Sequence, residues 1–360
     1  STSNEGSELG PAFLQPDGNV IYFGTNGNTA IYNPTTDTWS AGPAEPQQGG
    51  KNLVGTDDPG VMLPNGKILI ALSPQGGLNS KGAYTFPSPS YIYEYDPTDQ
   101  SWTDVTPGGL GSVNAFALNM VLLPTGQVLL AHEGAGFQVY TEDPATGPED
   151  SWRPTISSIV DDGGGVFTLT GTQLNGISEG STYGDDNESV TNYPIVRFTD
   201  SGGNVFYGRT FNWSSTGVAT GSTPVTTQFR LPAGHVLSDF TTITVIANGI
   251  PSDAVPFHIN PTVTPPADQN AVEGASKPFD LGSFSDPDNG PWHVDVDWGD
   301  GTSHTAFDTA TAGTIPQQSH AFPEEGSSTV TVTVTDSTGL SGSATFHVSI
   351  SDPAVIPSPV

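Results

Sequence analysis

The sequence lacks cysteine, is poor in cations and shows almost no helical periodicity, and each shortage removes a class of function. Without cysteine there is no disulfide, no thiolate metal site and no cysteine nucleophile. Lys and Arg number 8 against 38 Asp and Glu, a formal net charge of −30 over 360 residues. Such a chain cannot neutralise phosphates, which argues against nucleic-acid binding. Anionic membrane surfaces are disfavoured for the same reason. No apolar run approaches the roughly 18 residues of a transmembrane helix, so no membrane insertion is expected. Charged residues make up only 13%, so the charge is lopsided rather than dense. No stretch sustains apolar residues at i, i+3 and i+4. The 44 Gly and 32 Pro instead punctuate short alternating runs, which is an all-β pattern.

The chain opens on Ser1 with no basic stretch leading into an apolar one. Asp352 to Val360 reads as a Pro-rich linker. Both ends therefore read as positions within a longer protein, as proteolytic maturation or truncation would leave.

A two-part pattern recurs three times. Its first part is an apolar strand end, a Pro-x-Gly turn and an apolar strand: Pro16-Asp17-Gly18 before Val20-Ile21-Tyr22-Phe23, Pro64-Asn65-Gly66 before Ile68-Leu69-Ile70, and Pro124-Thr125-Gly126 before Val128-Leu129-Leu130. Pro presets φ at the first turn position and Gly takes positive φ, so each is a hairpin. Its second strand is expected to be buried on both faces. The second part is an aromatic strand, an Asx-Pro turn and a strand opening on Trp: Tyr32-Asn33-Pro34 to Trp39, Tyr95-Asp96-Pro97 to Trp102, and Tyr140 to Asp143-Pro144, reaching Trp152 after an insertion. Two hairpins per repeat predict a four-stranded sheet, the unit of a propeller blade.

These residues resemble kelch-type β-propellers, and more closely a group of secreted bacterial kelch-repeat proteins, over about residues 8–155. The resemblance implies a propeller of the galactose-oxidase lineage. Propellers use at least about four blades, and three repeats are present here. The open stack is expected to be completed by a missing N-terminal half or by a second copy of the chain.

Residues 156–260 carry further short strands, among them Phe167-Thr168-Leu169-Thr170 and Thr242-Ile243-Thr244-Val245-Ile246 before the hairpin dipeptide Asn248-Gly249. They resemble the E-set, immunoglobulin-like domain that follows the propeller in galactose-oxidase-like proteins. Pro261 to Pro266 reads as a linker. Beyond it, Asp297-Trp298-Gly299-Asp300-Gly301-Thr302, His320-Ala321-Phe322 and the alternating Thr329-Val330-Thr331-Val332-Thr333-Val334 resemble a PKD domain. The expected organisation is therefore all-β: kelch-type β-propeller blades over 1–155, two immunoglobulin-like β-sandwich domains over 156–260 and 261–351, and a linker over 352–360.

Catalytic signals are weak. The seven histidines form no i, i+2 or i, i+4 pair, so zinc signatures are missing. The lineage builds its copper-radical cofactor on a Tyr–Cys cross-link, which a chain without cysteine cannot form, so no such cofactor is expected. Carboxylate pairs such as Asp57-Asp58 and Asp161-Asp162 read as solvated turns.

Calcium, which takes several hard oxygen ligands from turns, is the ligand chemistry the Asp-rich loops suit. Two segments offer it: Asp185, Asp186 and Glu188, and Asp286 and Asp288 near Asp297 and Asp300. Tyr84 and Phe86, in a Gly/Ser/Pro-rich insertion, are candidate sugar-stacking aromatics. His132, following a blade strand, is a candidate ligand or base or else a strand-end polar residue.

The expected function is that of a non-catalytic, secreted or cell-surface recognition or structural protein, with polysaccharide or protein partners on a propeller face. Two alternatives stand beside it. One is a galactose-oxidase-like or carbohydrate-active enzyme with catalytic residues in a missing part. The other is a self-assembling surface-layer or filament component.

Overall fold

The computed structural model describes residues 10–77, 79–81, 85–132, 136–181, 193–286, 288 and 290–353. The protein is all-β. Helical elements among the described residues are single 3-10 turns, and none is long and apolar enough to cross a membrane. The chain divides into two compact units: Ser1–Arg197, Phe206–Arg230 and Thr244–Val255 form one, and Phe198–Val205, Leu231–Ile243 and Pro256–Val360 the other.

The repeats fold alike because their turns are chemically alike. Gly18, Gly66 and Gly126 take φ of 84°, 84° and 81°. Each glycine N–H donates to the carbonyl three residues before it, at 2.9, 3.0 and 2.9 Å. At the second turn, Asn33, Asp96 and Asp143 each accept through Oδ1 from the backbone N–H two residues on, at 2.9 Å in all three. The first repeat builds the antiparallel run Ala12–Leu14, Val20–Phe23, Thr29–Asn33 and Thr38–Ala41. The second builds Gly60–Met62, Ile68–Pro74, Tyr91–Asp96 and Ser101–Asp104.

The third repeat departs from expectation. Leu118–Leu122, Val128–His132 and Gly136–Tyr140 form only three strands. The stretch expected as a fourth strand on Trp152 is instead the 3-10 turn Asp150–Trp152. The insertion explains this: Asp143 caps another 3-10 turn, Pro144–Thr146, and Pro144 and Pro148 have no N–H to give to a ladder.

Burial also differs among the repeats. Of the strands that follow the Pro-x-Gly turns, Ile68–Pro74 is buried at every residue, whereas Val20–Phe23 and Val128–His132 alternate. The three sheets are stacked, and the middle one is packed on both faces. Ile68, Ile70 and Leu72 pack with Phe13, Ile21 and Phe23 of the first sheet. On the opposite face, Leu69, Ala71 and Ile92 pack with Leu118, Met120 and Val128 of the third. A part-buried polar clamp joins sheets two and three. Lys67 Nζ lies 2.7 Å from Glu94 Oε1, and the Tyr140 hydroxyl donates to Glu94 Oε2 at 2.6 Å. Bonding to Glu94 raises the Lys67 pKa, and burial followed by Glu94 raises that of Tyr140.

Later strands of the first unit include Val166–Thr172 paired with Pro224–Arg230, where Phe167 stacks on Phe229 at 5.4 Å. In the second unit, Phe198 packs on Phe240 and Phe257 at 4.9 and 5.7 Å.

The C-terminal sandwich has a main sheet of Gln269–Val272, Ser341–Ser351, Gly326–Thr335, Trp292–Asp297 and Thr305–Thr309, in that order. Val330, Val332 and Val334 point into a core with Trp298, Phe279 and Phe346, while the intervening threonines face outward. The stretch expected as a linker contributes a strand. Thr262–Thr264 pairs with Ser283–Ser285 because Val263 packs against this core between two threonines. Gly299, at φ +70°, passes so close to the Thr329 carbonyl that no Cβ fits.

Candidate metal centre

Three carboxylates meet at one end of this sandwich. Asp286 and Asp288 follow the Ser283–Ser285 strand, and Asp336 follows the Gly326–Thr335 strand. An oxygen from each lies within 4.8 Å of the others. That spacing suits calcium, since two ligands each about 2.4 Å from one ion are at most about 4.8 Å apart.

Local hydrogen bonding aims each group. Asp336 Oδ1 closes its own turn, accepting from Thr338 N at 2.8 Å, Thr338 Oγ1 at 2.7 Å and Leu340 N at 2.9 Å. Its Oδ2 is buried with no donor among the described residues, on a residue only 6% exposed. Asp286 Oδ1 accepts from Asp288 N at 2.9 Å, and its Oδ2 from the Trp292 indole N–H at 2.6 Å. Asp288 Oδ2 accepts from Ile259 N at 3.1 Å, and its Oδ1 lies 3.5 Å from His258 Nδ1.

Electrostatically the group is short of positive charge. Burial raises the Asp286 pKa, with the charges of Asp288 and Asp336 adding to it against the bonds from Asp288 N–H and Trp292. A buried carboxylate oxygen without a donor is costly unless a cation or proton answers it. Hard oxygen donors of this kind suit calcium rather than a softer transition metal.

The expected ligands are thus partly assembled. Asp286 and Asp288 are here, joined by Asp336, which sequence reasoning missed. Asp297 and Asp300 are engaged elsewhere: Asp297 Oδ1 accepts from Gly299 N at 2.9 Å, and Asp300 Oδ2 lies 2.7 Å from His320 Nε2. Asp185, Asp186, Glu188 and Tyr84 lie outside the described residues. Phe86 packs on Phe116 at 5.1 Å. His132 is buried at its strand end, and its Nδ1 has no hydrogen-bond partner among the described residues. Another acidic trio, Glu273, Glu325 and Asp352, is largely exposed.

One solvated-turn expectation is corrected. Asp58 is 0% exposed and Glu45 is buried too. Burial, then the neighbouring charge of Asp58 on Glu45 and of Asp57 on Asp58, raises both pKa values well above the ordinary range. Asp161 and Asp162 are exposed, but they lie in the Ser158–Gly163 strand rather than on a turn. A polar cleft of about 510 Å³ lies among the repeat turns, bordered by Asp17, Asn65, Lys67, Asp96 and Trp152.

Solved structures similar to the chain include the extracellular domain of BT4673 from B. thetaiotaomicron, at 10% identity and a TM-score of 0.29, covering 95% of this chain and 49% of that one. PorZ, a surface component of the type-IX secretion system of Porphyromonas gingivalis, is similar at 12% identity and a TM-score of 0.23, covering 92% and 43%. N-cadherin EC1-3 of Drosophila is similar at 12% identity and a TM-score of 0.21, covering 72% and 86%. The chain thus spans about half the length of the two bacterial structures. No curated protein matches the sequence. The PKD domain family model matches residues 258–350, and this part of the chain is a PKD domain.

Proposed function

We infer that the chain is a non-catalytic extracellular recognition or structural protein whose PKD domain is stiffened by calcium held between Asp286, Asp288 and Asp336. The observation that carries the reading is the buried Asp336 Oδ2, which has no donor among the described residues and belongs to a trio of converging carboxylates. Calcium there ties the turn after Ser283–Ser285 to the turn after Gly326–Thr335. Through Asp288 it also fixes Ile259, where the chain enters the domain. A module held stiff at its entry suits a spacer in a surface protein.

The three stacked sheets are read as kelch-type propeller blades, a reading supported by their shared Pro-x-Gly and Asx-Pro turns. The stretch 156–260 is read as an E-set domain. The cleft beside Trp152 is the place proposed for a polysaccharide ligand, because a half-buried aromatic ring there adjoins carboxylate, amide and ammonium groups.

Calorimetric titration of calcium into the chelator-treated full chain tests the metal reading. Saturable heat at one site, abolished by Asp336→Asn, is expected. An absence of heat together with an unchanged melting temperature overturns it.

A further inference from the structure

The cleft among the repeat turns is chemically one-sided. Its border gathers the Pro-x-Gly turns of the first two repeats, the Asx-Pro turn of the second and the 3-10 turn that ends on Trp152. All of these lie in the first compact unit. At about 510 Å³ the cleft falls within the roughly 300–1,000 Å³ of small-ligand sites.

Trp152 is held in place on this border. Its backbone N–H donates to the Glu149 carbonyl at 3.0 Å. On one side of it the Ser151 carbonyl accepts from Gln173 Nε2 at 2.6 Å, and on the other Arg153 donates to the Pro251 carbonyl at 3.0 Å. The outer edge of the indole closes over Gly66, where a Cβ would come within 2.8 Å of Cη2. A fixed indole of this kind offers apolar area to a sugar ring and attracts a cation through its quadrupole.

Three carboxylates border the same cleft, Asp17, Asp96 and Glu149, against one cation, Lys67. That cation is already engaged, 2.7 Å from Glu94 Oε1 and 3.5 Å from Asp96 Oδ2. Asp17 and Glu149 are exposed and have no ion-pair partner among the described residues. Asp17 accepts from the neutral donors of Asn19, at 2.9 and 2.7 Å, and the Glu149 side chain makes no capping bond to the turn it precedes. The negative field reaches Tyr95, beside Gln15 on the border. Burial raises its pKa first, the Gln15 side chain lowers it, and the charges of Asp17, Asp96 and Asp99 raise it again, to about 12.

We propose that the cleft selects a glycan with free amino groups, a de-N-acetylated hexosamine chain, over neutral and acidic glycans. The inference rests on the reading of this cleft as a polysaccharide site. A sugar ring lies on Trp152 while its ammonium faces Asp17 and Glu149. An acetylated amine has no charge to answer these carboxylates, and a uronate adds like charge, which is penalised. Exposed ion pairs are each worth up to about fivefold in affinity, so two together give about tenfold, and salt screens both.

Calorimetric titration of the full chain at pH 5.5 and low salt, where the sugar amine is protonated, tests the proposal. The probes are a β-1,4-linked glucosamine tetramer, its fully N-acetylated form, tetragalacturonate and tetralysine. The glucosamine tetramer is expected to bind about tenfold more tightly than the acetylated one, with the gap closing as salt is added. Tetragalacturonate should not bind. Asp17→Asn combined with Glu149→Gln should level the two tetramers, since Asn keeps the acceptor that Asn19 uses. Trp152→Ala should weaken both, and Trp152→Phe should restore part of the loss. Equal affinity for the two tetramers in the wild type, or a preference that survives the double substitution, overturns the amino-sugar inference and leaves the polysaccharide reading standing. Tetralysine binding as tightly as the glucosamine tetramer also overturns it. Binding of no sugar probe overturns the polysaccharide reading itself, and the inference with it.

Discussion

Trp39 and Trp102 occupy the same position in their repeats but sit in different environments. The Trp102 ring meets Phe23 edge-on at 5.9 Å and Tyr95 at 4.9 Å, and its indole N–H donates to the Ala44 carbonyl at 3.1 Å. Trp39 touches Tyr32 at 5.1 Å and is otherwise nearly half exposed. Trp102→Ala is therefore expected to cost about 2–3 kcal/mol through lost burial and a residual cavity. Trp39→Ala should cost about 0.5 kcal/mol or less in dilute protein, as at other surface positions. Urea unfolding checks both, with midpoints shifting in that order and slopes unchanged.

Glycine positions in the PKD domain separate two costs. Gly299 and Gly274 have similar φ, +70° and +67°, but a Cβ on Gly299 meets the Thr329 carbonyl while one on Gly274 meets open space. Gly274→Ala is expected to cost only the about 1–2 kcal/mol of left-handed backbone. Gly299→Ala adds a backbone clash and should exceed about 3 kcal/mol. Fluorescence of the buried Trp298 during thermal melting distinguishes them.

His320 lies flat on Trp298, with centroids 4.3 Å apart, and bonds Asp300. Burial alone raises the Asp300 pKa, but bonds from Thr302 and His320 outweigh it and hold the carboxyl below 3.8. A depressed folded value gives stability that is fully present above the unfolded value and is lost as pH falls through the folded one. The wild type should thus lose stability below about pH 4 more steeply than Asp300→Asn. Melting temperatures from pH 6 to pH 2 check the slope.

Glu45 and Asp58 act in the opposite sense. Their raised values mean that stability is fully present below the ordinary carboxylate range and is lost as pH rises through the folded value. Asp58→Asn removes a buried charge, so its melting temperature should gain on the wild type steadily from pH 5 to pH 8. Equal slopes for the two proteins would contradict this.

Local chemistry was legible in the sequence and distant convergence was not. The Pro-x-Gly turns follow from two residues' φ preferences, and all three glycines take positive φ. The alternation of Val330, Val332 and Val334 reads directly as a half-buried strand. Asp336 joins Asp286 from 50 positions away, which no spacing rule anticipates; its Asp-Ser-Thr-Gly turn was the available signal. Asp58 sits among polar residues that read as a solvated turn, yet it is buried, with its Oδ2 accepting from the distant Ser73 hydroxyl at 3.4 Å. Trp152 matched the repeat, but the prolines of the preceding insertion removed the donors a strand needs.

The calcium reading is tested most directly by terbium luminescence. Trp292 donates to Asp286 Oδ2 at 2.6 Å, so a terbium ion bound by the trio sits beside an indole that sensitises it. The account predicts green emission on excitation of tryptophan. Calcium should quench it competitively, and Asp336→Asn and Trp292→Phe should each remove it. An absence of sensitised emission, or emission unchanged in Asp336→Asn, would contradict the account.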